Sequence, residues 1–351
     1  MPIKKVTMRD IAQKLDVSVN AVSLALNDMK GISGGLRLKV LETADALGYF
    51  ETSPRYGRIF GCYNFCILMQ DVYANEMGFH GKVVYSVVQE AKNSGYDTIL
   101  NYFDDANMII PDCIKDRRVS GIIIIGKISN KNTAVLKTFN IHIVVINHEP
   151  MLSDINCILI DNKTGGYLAT QYLLRAGFSK IGFFGDLSYS QSFQERYLGF
   201  QEALQEAFQD ALIEENLMDC LHEFSITDKI EQYIIDNNIL AIAKILSHQN
   251  NLPQAFFCSN DQAAVVLIFA LRENGLSVPK DISVVGFDSG VLAEKITPKL
   301  TSVYVNKELM GYKAVRRLIH LIQRRKEEVE HVVLGVKLIE RDSVAPISAR
   351  R

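Results

Sequence analysis

Three side chains in the second half of the chain have the types and positions to grip a small polar molecule. Arg196 sits in the run ERYLG, near the start of a helix that follows a strand. A guanidinium there can offer a planar fork to ligand oxygens; the plainer alternative is a surface arginine paired with Glu195 or Glu202. Asp288 closes the apolar run SVVGFD and Asn260 closes AFFCSN, so both stand at the carboxyl ends of strands. Ligands of open α/β sheets bind at that edge, although Asn260 ahead of Asp261 also reads as a helix cap. Asn147 ends VVIN at a similar edge. Ser190 and Ser192 can lend hydroxyls or simply solvate a turn, and Phe79, at a helix start, can stack on a ring or pack in a core. A carboxylate, an amide and a guanidinium converging on one place suit a polyol or another polar small molecule better than a lipid.

Nothing comparable points to catalysis. The run GIIIIGKI (121–128) almost spells a phosphate-binding loop, but Ile128 stands where the magnesium-binding hydroxyl belongs, and the four intervening isoleucines form a strand. His148-Glu149 lacks the second histidine of a zinc protease, and the run Gly31-Ile32-Ser33-Gly34-Gly35, though it spells G-x-S-x-G, follows no strand and so is no nucleophile elbow. The six cysteines lie in apolar contexts without a second Cys/His pair to complete a zinc site. No enzyme activity, cofactor or metal is expected.

The amino-terminal run TMRDIAQKLDVSVNAVSLALN (7–27) carries a different chemistry. Thr7 caps a first helix with Asp10 in the capping-box position, and Ile11, Ala12 and Leu15 form its apolar face. Asp16 tolerates the left-handed backbone that a tight turn needs. Ser18 then caps a second helix in which Val22, Ala25 and Leu26 face inward. Its outward face (Val19, Asn20, Ala21, Ser23, Leu24, Asn27) is small and nearly uncharged, with Lys4, Lys5, Arg9 and Lys14 beside it. Such a face suits a major groove flanked by phosphates, as well as an ordinary helix pair. A third helix follows Ser33, with Leu36, Val40, Ala44 and Leu47 on one face and Gly48 as its stop.

The 351 residues allow two or three domains, and 48% hydrophobic with 22% charged residues is ordinary for a globular protein. Residues 1–60 hold nine Lys and Arg against six Asp and Glu, while the whole chain carries −2, so the basic end is where a polyanion belongs. No apolar run reaches the roughly 20 residues of a membrane span, and the amino terminus is too polar for a signal peptide. From residue 64 strands and helices alternate: strands at 65–69, 96–101, 121–125 and 143–146, then 181–184, 255–258 and 283–287, with helices at 82–94, 164–176, 194–207 and 261–273. Continuously apolar strands are buried on both faces, which implies parallel sheets between helix layers. Two such doubly wound units in sequence point to two similar subdomains with a cleft between them.

These stretches resemble the LacI/GalR family of bacterial transcription regulators. VTMRDIAQKLDVSVNAVSLALN followed by GISGGLRLKVLETADALGY is similar to its headpiece, whose pattern is V-T-x-x-D-[IV]-A-x-x-x-x-V-S-x-x-x-V-S-x-x-L-N. DNKTGGYLATQYLLRAGFSKIGFFGD, ERYLGFQEAL, SNDQAAVVLIFALRENGLSVPKDISVVGFD and PKLTSVYVNKELMGYKAV resemble its sugar-binding-protein-like core. The resemblance implies a helix-turn-helix headpiece at 1–49, a hinge at 50–63, a first core subdomain at 64–160 plus about 290–322, and a second at 161–289 plus about 323–345. It implies that Asn20, Ala21 and Leu24 face base edges while Thr7, Ser18, Ser23, Asn27 and Ser33 approach phosphates, with Val19 also on the DNA-binding face. It also implies that Arg196, Asn260 and Asp288 contact an effector, with Phe79, Asn147, Ser190 and Ser192 as further candidates. The partners implied are a near-palindromic duplex operator, a small effector and a second copy of the chain, in the cytoplasm and without a membrane. Two departures stand out: many relatives have Arg at the position of Leu24, and the hinge leucine that wedges into the minor groove is replaced by Arg58, with Ile59 beside it. Ile59 replaces the wedge with a register shift, or Arg58 reads a narrow groove, or the hinge does not kink DNA.

Overall fold

A computed structural model describes residues 6–26, 29, 31–49, 64–74, 78–150, 154–210, 223–249, 251–323 and 328–349. The candidates Asn27, Arg58 and Ile59, with the whole hinge 50–63, lie outside the described residues.

Three helices open the chain: α1 (Met8–Leu15), α2 (Val19–Leu26) and α3 (Gly34–Ala46). Asp10 accepts hydrogen bonds from the Thr7 amide and hydroxyl, both at 2.6 Å, so the expected capping box forms. Asp16 takes φ +53° and breaks α1 from α2, where Ser18 Oγ accepts from the Ala21 amide at 3.1 Å. Ile11, Ala12, Val22, Ala25, Leu26, Val40 and Ala44 make one small buried core. Each helix is too short to persist alone, so this shared core is what keeps all three folded.

The remainder is α/β, and the chain as a whole, amino-terminal helices included, divides into two compact units. Within the described residues the first takes the chain up to 75, then 84–158 and 311–331; the second takes 76–83, 159–310 and 332–351. The first sheet contains β1 (Asn64–Gln70), β2 (Asp97–Phe103), β3 (Gly121–Ile125), β4 (His142–Ile146), β5 (Asn156–Ile160) and β10 (His331–Leu334), in the order β10-β5-β4-β3-β1-β2. Its pairs from β5 to β2 are parallel. The run that mimics a phosphate loop is the fully buried β3. The second sheet contains β6 (Ile181–Phe184), β7 (Ala255–Cys258), β8 (Ser283–Asp288), β9 (Thr301–Tyr304) and β11 (Lys337–Ile339), in the order β11-β9-β8-β7-β6. It is parallel except for β11, which adds an antiparallel edge on β9.

The subdomain boundaries differ from the expected ones. Residues 290–310 stay with the second unit, because β9 pairs with β8 from Val285↔Thr301 to Asp288↔Tyr304. The chain returns to the first unit only at 311, inside the helix Lys307–Gln323, and leaves it again at 331 instead of about 323. Phe79 belongs with the second unit, not the first. The stretch 209–251, which lacks a clear period, contains the helices Glu231–Ile235 and Ile239–Ser247. Cys66, Cys113, Cys157 and Cys258 are buried free thiols.

Two glycines set the position of Arg196. The helix Gln191–Asp210 carries it, and the helix Asn162–Arg175 lies directly against that helix. A Cβ at Gly166 would fall 2.0 Å from the Arg196 carbonyl oxygen, and one at Gly199 only 1.9 Å from the carbonyl oxygen of Lys163. Gly199→Ala therefore forces the helices apart and should cost at least about 3 kcal/mol. Urea unfolding of the full chain checks this; a loss within about 0.5 kcal/mol, the range of neutral surface changes, would show that the helices yield.

Candidate functional site

In the second unit the carboxyl ends of β6, β7 and β8 collect the polar residues. Arg196 is 3% exposed, and its guanidinium lies over the Phe287 ring with Cζ 3.6 Å from the centroid; the Phe193 ring is 5.6 Å away. Nε donates to Asn162 Oδ1 at 3.0 Å, and Nη1 donates to the carbonyl oxygen of Ser259 at 2.5 Å. Asn162 is in turn tied through Nδ2 to Glu195 Oε2 at 2.9 Å. Nη2 stands 3.7 Å from Asp288 Oδ1, within ion-pair range but beyond hydrogen-bond length. Burial pulls the guanidinium below its usual range, while Asp288, Glu195 and Asp261 pull the other way; it keeps its charge throughout.

Asp288 leaves β8 with φ +103°, and Ser289 follows at +44°. Behind this turn lies Asp261, 4% exposed, the first residue of the helix Asp261–Glu273. Its Oδ1 accepts from Ser302 Oγ at 2.5 Å and its Oδ2 from the Gly290 amide at 2.7 Å. Burial and the neighbouring Asp288 charge push the Asp261 carboxyl up to about 7, against the opposing pull of Ser302, Gly290 and Lys307. Lys307, 2% exposed, donates to the Asp288 carbonyl and lies 5.8 Å from the Phe79 ring centroid. Its ammonium is held below the usual range by burial, opposed by both aspartates.

The structure thus brings Arg196 and Asp288 together, with Asn260 next to the carbonyl that Arg196 grips. Asn260 serves as a helix cap: its Oδ1 accepts from the Ala263 amide at 2.7 Å, which leaves Nδ2 to donate. Ser190 caps the helix of Arg196, accepting from the Phe193 amide at 3.2 Å, and Ser192 is half-buried in its first turn. Phe79 is buried in the same unit. Asn147 lies in the first unit, takes φ +60°, and donates its amide to Ile158 at 2.9 Å. Asn162, Asp261, Ser302 and Lys307 were not legible as site residues. Their types are common in caps and on surfaces, and only the fold shows all four buried, Asn162 against Arg196 and the other three around the 288–290 turn.

A second candidate surface lies on α2. Val19 and Asn20 are exposed, while Ala21, Ser23 and Leu24 are half-buried. Ser18 and Ser33 spend their oxygens on the Ala21 and Leu36 amides, at 3.1 and 3.3 Å, which leaves each hydroxyl hydrogen for an outside acceptor. Thr7 turns its hydroxyl to Asp10 instead.

Residues 170–344 match the periplasmic binding protein-like domain model. Over 350 residues the chain is 28% identical to the HTH-type transcriptional repressor PurR of Vibrio vulnificus strain CMCP6, covering 97% of this chain and 99% of that one. Among solved structures, a ribose-bound LacI family transcriptional regulator from Enterococcus faecium matches 80% of this chain and 99% of its own, with TM-score 0.69 at 23% identity. The lac repressor dimer bound to operator and the anti-inducer ONPF matches 97% of this chain and 100% of its own, with TM-score 0.62 at 21% identity. Along its whole length this chain is thus similar to an HTH-type transcriptional repressor, and its fold is that of LacI family regulators. In this regulator the three amino-terminal helices and the α/β sheets all fall within the length matched by the repressor PurR relative.

Protonation of the buried carboxyls is measurable. Asp261 moves up to about 7 from 3.8, and Glu231, buried near Asp186, up to about 7 from 4.5. Between about pH 4 and pH 7 the folded state therefore holds protons that the unfolded chain has released, so these groups make stability fall as pH rises through that window. Melting midpoints of Asp261→Asn should decline less steeply than wild type from pH 4 to 7, and Glu231→Gln likewise. Parallel curves would mean that both carboxyls ionise normally.

Proposed function

We propose that this regulator is a repressor whose α2 enters the major groove of duplex DNA, and whose DNA affinity is set by a small polar ligand held at Arg196, Asp288 and Asn260. The observation that carries the ligand half is the Arg196–Asp288 pair. The guanidinium is pinned by Asn162, Ser259 and Phe287, with Nη2 left 3.7 Å from the carboxylate. Adjacent hydroxyls of a polyol satisfy both groups at once, accepting from the fork and donating to the carboxylate. A sugar or related metabolite fits this chemistry. The ribose-bound relative and the operator-bound relative support the two halves of the reading.

The protein acts as a homodimer in the cytoplasm, on a near-palindromic site. α2 is only eight residues long and three of them are buried, so one copy presents a small face and a two-fold pair doubles it. The edge strand β2 leaves Leu100 and Tyr102 exposed on one side, a surface for self-association. Leu24 offers a thymine methyl an apolar contact, where a guanine-gripping arginine would give more discrimination. Ligand and DNA are linked: a coupling of about 1–3 kcal/mol gives a 5–150-fold change in DNA affinity.

A thermal-shift screen of D-ribose with other sugars, nucleosides and amino acids should find a compound that stabilises the wild type by about 2.7 kcal/mol at a hundredfold its Kd. Arg196→Ala should lose that stabilisation while retaining salt-dependent binding to duplex DNA selected from a random pool. Asn20→Ala should weaken that binding by about 1–3 kcal/mol, with a matching loss of base preference. A variant at Arg196 that loses DNA and keeps the ligand would reverse the assignment.

A further inference from the structure

Asp288 and Ser289 are consecutive non-glycine residues at φ +103° and +44°, a course that L side chains adopt at a cost in free energy. Such a turn persists only where its surroundings over-determine it. Here the surroundings are three buried side chains. Lys307 places its ammonium on the Asp288 carbonyl and also donates to Val305 O at 3.3 Å. Ser302 Oγ accepts from the Ser289 amide at 3.0 Å and donates to Asp261 Oδ1 at 2.5 Å. Asp261 Oδ2 accepts from the Gly290 amide at 2.7 Å. Two successive peptide groups, 288–289 and 289–290, are thereby held from three separate elements: the start of the helix Asp261–Glu273, the strand β9 and the start of the helix Lys307–Gln323.

We infer that Lys307, Ser302 and Asp261 form a lock that holds the 288–290 turn in its left-handed course and so aims the Asp288 carboxylate at Arg196. They are positioning residues: each acts on the backbone of the turn, and Arg341 adds only a peripheral bond from Nη2 to Ser289 Oγ at 2.9 Å. The functional consequence rests on the reading of Asp288 as a ligand-holding group, because a carboxylate shifted by an ångström no longer bridges to the guanidinium. A different role is open to Lys307, that of a buried countercharge for two aspartates. A countercharge neutralises wherever its ammonium points, whereas a lock depends on the bond to the carbonyl.

Hydrogen exchange of the ligand-free, full-length protein separates these roles. In Lys307→Met, which keeps the side-chain volume, the amides of Ser289 and Gly290 should exchange about tenfold faster or more, while the helix 261–273 keeps wild-type protection. Ser302→Ala should do the same at Ser289 without removing a charge, which keeps the test intact if the lysine variant does not fold. Lys307→Arg should restore slow exchange through its own N–H donors. Unchanged exchange in both Lys307→Met and Ser302→Ala overturns the lock, whatever binds. D-ribose melts of the same variants read the other premise: faster exchange with an unaltered D-ribose response supports the lock and removes Asp288 from the ligand site.

Discussion

A guanidinium buried among phenylalanine rings is the constraint on which the second unit depends. Stripping an ion of water costs several kcal/mol unless every direction of its charge is met. Arg196 is met by a ring below, an amide on one side, a carbonyl on the other and a carboxylate at a short distance. The partners come from three places, β8, the end of β7 and the start of the helix Asn162–Arg175, so the charge cannot be satisfied until the sheet and its flanking helices are assembled. Gly166 and Gly199 exist in that arrangement to let two helices meet closely enough for the arginine to reach inward.

The same logic extends behind the arginine. Asp288 can face it only by leaving its strand through a left-handed turn, and that turn hangs on Asp261, Ser302 and Lys307. Charges of both signs are thus interleaved in a region of low exposure. This raises the carboxyl of Asp261 and lowers the ammonium of Lys307, while each stabilises the ionised form of the other. The result is a polar site held rigid by hydrogen bonds to backbone, which is the preorganisation that discriminating recognition of a small polar molecule requires.

The amino-terminal helices solve a different problem with different means. They bury only a handful of small aliphatic residues, so their ends must be tied by caps at Thr7, Ser18 and Ser33. An outward face without large side chains is what remains on α2, and it is shaped to approach another surface closely.

Periodicity, caps and the apolar runs were enough, by themselves, to determine the helical headpiece, the alternating α/β core and the strand ends at Asn260 and Asp288. Local pattern reports local structure, because burial of a strand or a helix face is written every second or every third to fourth residue. That Arg196, Asn260 and Asp288 converge was legible from their places near the ends of recognisable elements, but that Arg196 turns to Asp288 and not to Glu195 or Glu202 is not written locally. Only the tertiary structure decided which unit holds 290–310, since strand β9 is placed by pairing with β8 and not by its own composition. Likewise, Asn260 acts as a cap, Asn147 falls in the other unit, and Lys307, Ser302 and Asp261 become site residues only through contacts made across 13 to 41 positions of sequence. A buried lysine and a surface lysine are the same letter; their difference is the free energy of desolvation, which depends on neighbours that the chain brings in from elsewhere.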